Sequence, residues 1–104
     1  MTISLHFHGL ESTQAIRDYV DDKMQMLARY DTIQSIRVDL KRETHAQHGE
    51  LFVCQATVIS QHGTLNIEKT EVDLYKAIDK VKDHLREMIV SKKEKVRDVH
   101  RPAK

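Results

Sequence analysis

The sequence predicts an α+β protein, a two-layer sandwich of order β-α-β-β-β-α whose four-stranded mixed sheet carries both helices on one face. Three observations lead there. Four stretches alternate apolar and polar residues at every second position, as half-buried strands do. Two others repeat apolar residues at helical spacing. One helical stretch separates the first two strands, and the later strands follow one another through short turns, which asks for one β-α-β crossover and antiparallel neighbours. Each element has a single apolar side, so both helices cover one face of the sheet and leave the other polar and in water.

In Met1 to His8, Ile3, Leu5 and Phe7 face one way while Thr2, Ser4, His6 and His8 face the other, and Gly9 ends the strand. Ser12 or Thr13 caps a helix that runs to about Arg29 or Tyr30. Its stripe is Ile16, Val20, Met24 and Leu27, flanked by Tyr19 and Tyr30. Lys23 falls inside that arc, where a lysine either snorkels along its stem or points at an anion.

Asp31 and Thr32 make a turn, and a second strand follows from Ile33 to about Lys41 with Ile36, Val38 and Leu40 inward. The polar segment Glu43 to Gly49 reads as a hairpin loop. Leu51 to Ser60 is the most apolar run. Phe52, Cys54, Ala56 and Val58 are assigned to its core face, although Leu51, Val53 and Ile59 permit the opposite register. Gln61-His62-Gly63 is a short turn, and Thr64 to Lys69 is a fourth strand carrying Leu65 and Ile67. Asp73 or Thr70 opens a last helix to about Val96, with Leu74, Ile78, Val81, Leu85 and Ile89 inward.

The chain has 104 residues, enough for one domain, expected over residues 1–98 with a flexible basic tail at 99–104. A single cysteine excludes an internal disulfide and a cysteine-rich zinc site. No apolar run approaches the ~20 residues of a membrane span. A cytoplasmic protein without a membrane partner is expected.

Charge is unevenly spread. Residues 1–75 hold 7 basic against 11 acidic side chains, a net of −4, and residues 76–104 hold 10 against 5, a net of +5. On the last helix Lys82, Arg86, Lys93 and Arg97 fall within about 60° of one another at 100° per residue, and Tyr75 begins the same line. Lys82 to Arg97 spans roughly 22 Å, several phosphate spacings of RNA. Lys92 and Lys95 are expected to extend the basic surface once the helix has left the sheet behind. The plainer reading is a solvated helix face of mixed charge, since Asp79, Asp83, Glu87 and Glu94 lie alongside.

His6 and His8 share a strand face, and His45 and His48 share a loop, but a zinc site needs a third or fourth ligand and the chain has no HExxH. Polar-face and loop histidines are the better account, with hydrogen bonding or stacking on RNA a further option for His6 and His8. Cys54 lies mid-strand on the core side and reads as a small hydrophobe, not a nucleophile. With three glycines and no nucleophile elbow or phosphate loop, no enzyme, metal or cofactor is expected.

The last helix reads Asp73-Leu74-Tyr75-Lys76-Ala77-Ile78-Asp79, then Asp83 and Leu85, then Lys92-Lys93-Glu94-Lys95. This resembles the signature of the ribosome hibernation promoting factors and ribosome-associated translation inhibitors, the sigma-54 modulation protein family. His8-Gly9, Ile16-Arg17-Asp18-Tyr19-Val20 and Lys23 resemble its N-terminal part. Val90, Ser91 and His84 depart from the basic residues usual there, and the step from Gly9 to the first helix is short. The resemblance implies a fold like a double-stranded-RNA-binding domain and a non-catalytic protein. It would lie in the small ribosomal subunit's channel for messenger and transfer RNA, contacting 16S-type rRNA and halting translation in resting or stressed cells. It also implies rRNA contacts at Arg17, Lys23, Lys92, Lys93 and Lys95, to which the charge line adds Lys82, Arg86 and Arg97. The length matches the short family form, which either pairs ribosomes with the help of a separate dimerising factor or only silences single ribosomes. The alternative is a regulatory module that binds protein through its open sheet face and does not bind RNA.

Overall fold

A computed structural model describes residues 1–45 and 49–99, with the side chains of all of these save His45 and residues 93–99. The elements are β1 (Thr2–His8), α1 (Gln14–Gln25) continued by a 3-10 turn (Met26–Arg29), β2 (Ile33–His45), β3 (Gly49–Ser60), β4 (Gly63–Glu71) and α2 (Leu74–Val99). The sheet order is β1-β2-β3-β4. β1 runs parallel to β2, and the other neighbours are antiparallel. The predicted class and element order hold.

Local chemistry explains the boundaries. Thr13, not Ser12, caps α1, its hydroxyl accepting from the Ile16 amide at 3.2 Å. Asp73, not Thr70, caps α2, one carboxylate oxygen accepting from the amides of Tyr75 at 2.8 Å and Lys76 at 3.3 Å. Gln61 and His62 form a two-residue turn between the paired Ser60 and Gly63, and Gly63 has φ +119°, a value that side chains rarely adopt.

The core lies between the sheet and the helices. Val20, Met24 and Leu27 from the first helical segment meet Ile36, Val38 and Leu40 of β2 and Cys54, Ala56 and Val58 of β3. Leu74, Ala77, Ile78, Val81, Leu85 and Ile89 of α2 close it. The Cys54 thiol is fully covered, and its burial pushes its pKa up to about 12, which keeps it an inert thiol. Phe52, Ile3, Leu5, Phe7, Leu65 and Ile67 pack partly buried around that centre.

The expected register of β3 is the observed one, and Val53 has a separate cause for being apolar. It is buried on the opposite face of the sheet, paired with Lys41 and Thr70. The segment expected to be a loop from Glu43 to Gly49 is a correction. β2 continues to His45 and β3 starts at Gly49, so a two-stranded ribbon extends beyond His8 of β1 and Glu71 of β4. Likewise β4 runs two residues past Lys69 and one before Thr64.

α2 starts at the Glu71 end of β4 and runs back along it. Nine strand residues span about 30 Å, which the helix covers at 1.5 Å per residue in about 20 residues. The remainder, up to Val99, carries the helix past the sheet edge. His48 and residues 100–104, most of the expected tail, lie outside the described residues.

Candidate nucleic-acid interface

On α1 the inward stripe places Arg17 and Lys23 on opposite flanks, each about 60° from Val20 at 100° per residue. The Lys23 flank faces α2, where its ammonium lies 3.7 Å from Asp79 Oδ1. The Arg17 flank faces the β1 edge. Arg17 lines a shallow depression there with Ile3, Leu5, Asp18 and Asp21, and its Nε donates to Ser12 Oγ at 2.8 Å. The structure therefore does not bring Arg17 to the charge line of α2.

The helix seam is built around Asp79. The Tyr19 hydroxyl donates to Asp79 Oδ1 at 2.6 Å, and Lys23 Nζ stands 5.3 Å from the centre of the Tyr19 ring. The hydrogen bond to Asp79, helped by burial and by the charges of Asp79 and Asp73, pushes the Tyr19 phenol up to about 12. Tyr75 meets the Tyr19 ring edge-on, with centroids 4.8 Å apart and planes at 87°. Both readings of Lys23 hold at once, since its stem is partly covered and its head meets a carboxylate.

Further along α2, Lys82 has only 19% of its side chain exposed, with Nζ 3.2 Å from Asp83 Oδ1. Arg86 is exposed and shares a surface depression with Tyr30, Val90 and Ser91. Lys23, Lys82 and Arg86 thus border one seam between the helical segments, with Tyr19, Tyr75 and Tyr30 interleaved. The side chains of Lys93, Lys95 and Arg97 lie outside the described residues.

Lys92 corrects the expected basic surface. It follows Leu74 by eighteen residues, five whole turns, and so lies on the line of a buried residue. Its side chain is half-buried against the β3–β4 turn, and a Cβ on Gly63 would stand 2.5 Å from its Nζ. The sheet has not been left behind at this position.

Residues 3–97 match the family described as sigma 54 modulation protein / S30EA ribosomal protein. The chain belongs to that family. It is 36% identical over 98 residues to the ribosome hibernation promoting factor of Azotobacter vinelandii, spanning 91% of this chain and 85% of that protein. The N-terminal domain of Protein Y from Thermus thermophilus superposes with a TM-score of 0.74 at 30% identity, covering 88% of this chain and 98% of that one. A ribosomal subunit interface protein from Coxiella burnetii superposes with a TM-score of 0.76, covering 90% and 99%, and its 20% identity makes this a likeness of fold alone. The family is non-catalytic, in agreement with the sequence expectation of no enzyme.

Two clusters carry no signal in the sequence. Asp31 is buried, with Oδ2 2.8 Å from His62 Nδ1 and Oδ1 accepting from the Thr32 amide and Gln61 Nε2 at 2.7 and 3.0 Å. Burial alone would raise this carboxyl, but the hydrogen bonds from His62, Thr32 and Gln61 outweigh it and hold the pKa below its ordinary value. On the open sheet face, His8 Nε2 lies 2.9 Å from Asp39, whose pKa is held down chiefly by Arg37 at 3.1 Å. His8 is therefore already engaged by a carboxylate. Among the described residues no three His, Cys, Asp or Glu side chains gather as a metal group, and no helix is long and apolar enough to cross a membrane. The His45 side chain and His48 lie outside the described residues.

Proposed function

We propose that this chain is a cytoplasmic ribosome hibernation protein that binds the small ribosomal subunit. In this reading it occupies the channel that messenger and transfer RNA use, and it silences translation in resting or stressed cells by filling that space. Membership in the family carries the ribosomal part of this reading. The single observation that carries the RNA part is the basic seam, where Lys23, Lys82 and Arg86 border two helices that the core already holds rigid.

The proposed rRNA contacts are Lys23, Lys82 and Arg86, continued by Lys93, Lys95 and Arg97 on the helix that overruns the sheet. Arg17 and Lys92 would reach RNA on the two flanks of this face. Lysine and arginine meeting phosphates release counterions, so affinity falls steeply with salt. In this reading residues 1–98 act as one binding domain, with a separate ribosome-dimerising factor as a further candidate partner.

Competition tests the reading. Small subunits loaded with a messenger fragment and transfer RNA should lose both as the protein is titrated in, with chemical protection of rRNA confined to the decoding channel. Binding that leaves both ligands in place would overturn the steric mechanism. Protection of ribosomal protein alone would favour a protein-binding module.

A further inference from the structure

We propose that Tyr75 is a stacking platform for an unpaired nucleobase, so that the helix seam takes single-stranded rather than double-helical RNA. This rests on the RNA-binding reading above and names the ligand class at the head of the same face.

Tyr75 is 39% exposed in the first turn of α2, although it is one of the chain's few large aromatic residues. Its azimuth is within about 20° of Lys82 and Arg86, about 10 Å before the first and 16 Å before the second. The ring is held before any ligand arrives. Its partner Tyr19 forms a T-shaped pair with it, centroids 4.8 Å apart, and Tyr19 is itself tied to Asp79 through its hydroxyl at 2.6 Å. A ring whose rotamer is already set loses little freedom on binding.

The local charge chooses between base and phosphate. Asp73 and Asp79 both lie within about one turn of Tyr75, and the Asp79 carboxylate is occupied by the Tyr19 hydroxyl and Lys23. A phosphate at this level would meet the Asp73 carboxylate and an Asp79 carboxylate only partly offset by Lys23, a repulsion that an uncharged base face does not feel. Past Asp79 the line carries Lys82, whose Nζ would exchange Asp83 for a phosphate, and the exposed Arg86. A strand lying along α2 with its backbone on those residues leaves a base at the level of Tyr75. In an A-form duplex the base faces are covered by their neighbours, so only an unstacked base can use this ring.

The test compares the parent, Tyr75→Phe and Tyr75→Leu for binding to a labelled single-stranded RNA of about 12 nucleotides and to the matching duplex, across a salt series. Tyr75→Phe should bind as the parent does. Tyr75→Leu should lose about 5- to 150-fold for the single strand, the size of one base–aromatic stack. Its salt slope and its duplex affinity should not change, because every phosphate contact is kept. The chain has three tyrosines and no tryptophan, so RNA should also quench tyrosine emission in the parent and quench it less in Tyr75→Phe.

Unchanged single-strand affinity in Tyr75→Leu, or an equal loss for strand and duplex, overturns the stacking platform and leaves the basic seam standing. Should Tyr75→Leu melt below the assay temperature, full quenching in Tyr75→Phe overturns it instead. A parent that binds neither RNA at low salt removes the RNA-binding reading itself, and the platform with it.

Discussion

Replacing Asp31 by alanine removes one carboxylate that fastens the α1–β2 turn to the β3–β4 turn. Its two oxygens serve three groups at 2.7, 2.8 and 3.0 Å. Hydrogen bonds to a charged acceptor contribute about 1.5–3 kcal/mol each, but Thr32 and Gln61 are exposed and recover water in the variant. The expected loss is therefore about 3 kcal/mol, below the sum of the three. For a domain near 100 residues that is a fall in melting temperature of about 12–24 °C. Circular dichroism melts of parent and variant at several pH values provide the assay. Because the folded pKa of Asp31 is depressed, its contribution is present above the unfolded value of about 3.9 and is lost as pH falls through the folded one. The gap between the two proteins should be widest at pH 6 and should narrow as the pH falls through the folded value. Variant RNA binding at 10 °C should match the parent, since the staple lies off the helix seam. Equal melting at pH 6, or a gap that does not narrow at all as the carboxyl is protonated, would overturn this prediction.

Other variants address the seam and the core. Lys82→Gln with Arg86→Gln should lower the slope of log affinity against log salt by about 1.5, near 0.7–0.9 for each phosphate left without its cation, and melt close to the parent; an unchanged slope would put the phosphates elsewhere. Lys93→Glu with Lys95→Glu should abolish binding to small subunits with little change in melting, while Lys92→Glu should lower the melting temperature as well, because its stem lies against the Gly63 turn. Ile78→Asp places an unpaired charge in a fully buried position and should cost more than about 4 kcal/mol, leaving the chain unfolded at 37 °C. A parent-like melt of that variant would contradict the phase of α2.

How much of this is legible in the sequence depends on burial. β1, the inward stripe of α1 and the faces of β2 and β3 each turn one side to the core, and burial on one side leaves an alternation or a 3.6-residue repeat that can be read directly. The ribbon of Arg42 to His45 and Gly49 to Leu51 lies beyond both neighbouring strands, so its residues carry no one-sided pattern and read as loop. Charge alone groups Lys92 with the lysines that follow it, although its spacing from Leu74 already puts it on the core line. The partnership of Asp31 with His62 spans 31 positions and follows only from the pairing of Ile33 with Ser60, which no local signal reveals. In the candidate site the line of Lys82 and Arg86 is visible from spacing. That Lys23 joins it while Arg17 does not depends on which flank of α1 faces α2, and packing decides that.

The proposed function stands or falls on whether the basic seam enters the RNA channel of the small subunit. Co-sedimentation of the purified protein with small ribosomal subunits across a salt series, alongside cell-free translation, tests it most directly. Saturable binding that weakens steeply with salt, and inhibition that follows occupancy, are expected. Absence of binding at low salt, or binding without inhibition, would contradict it.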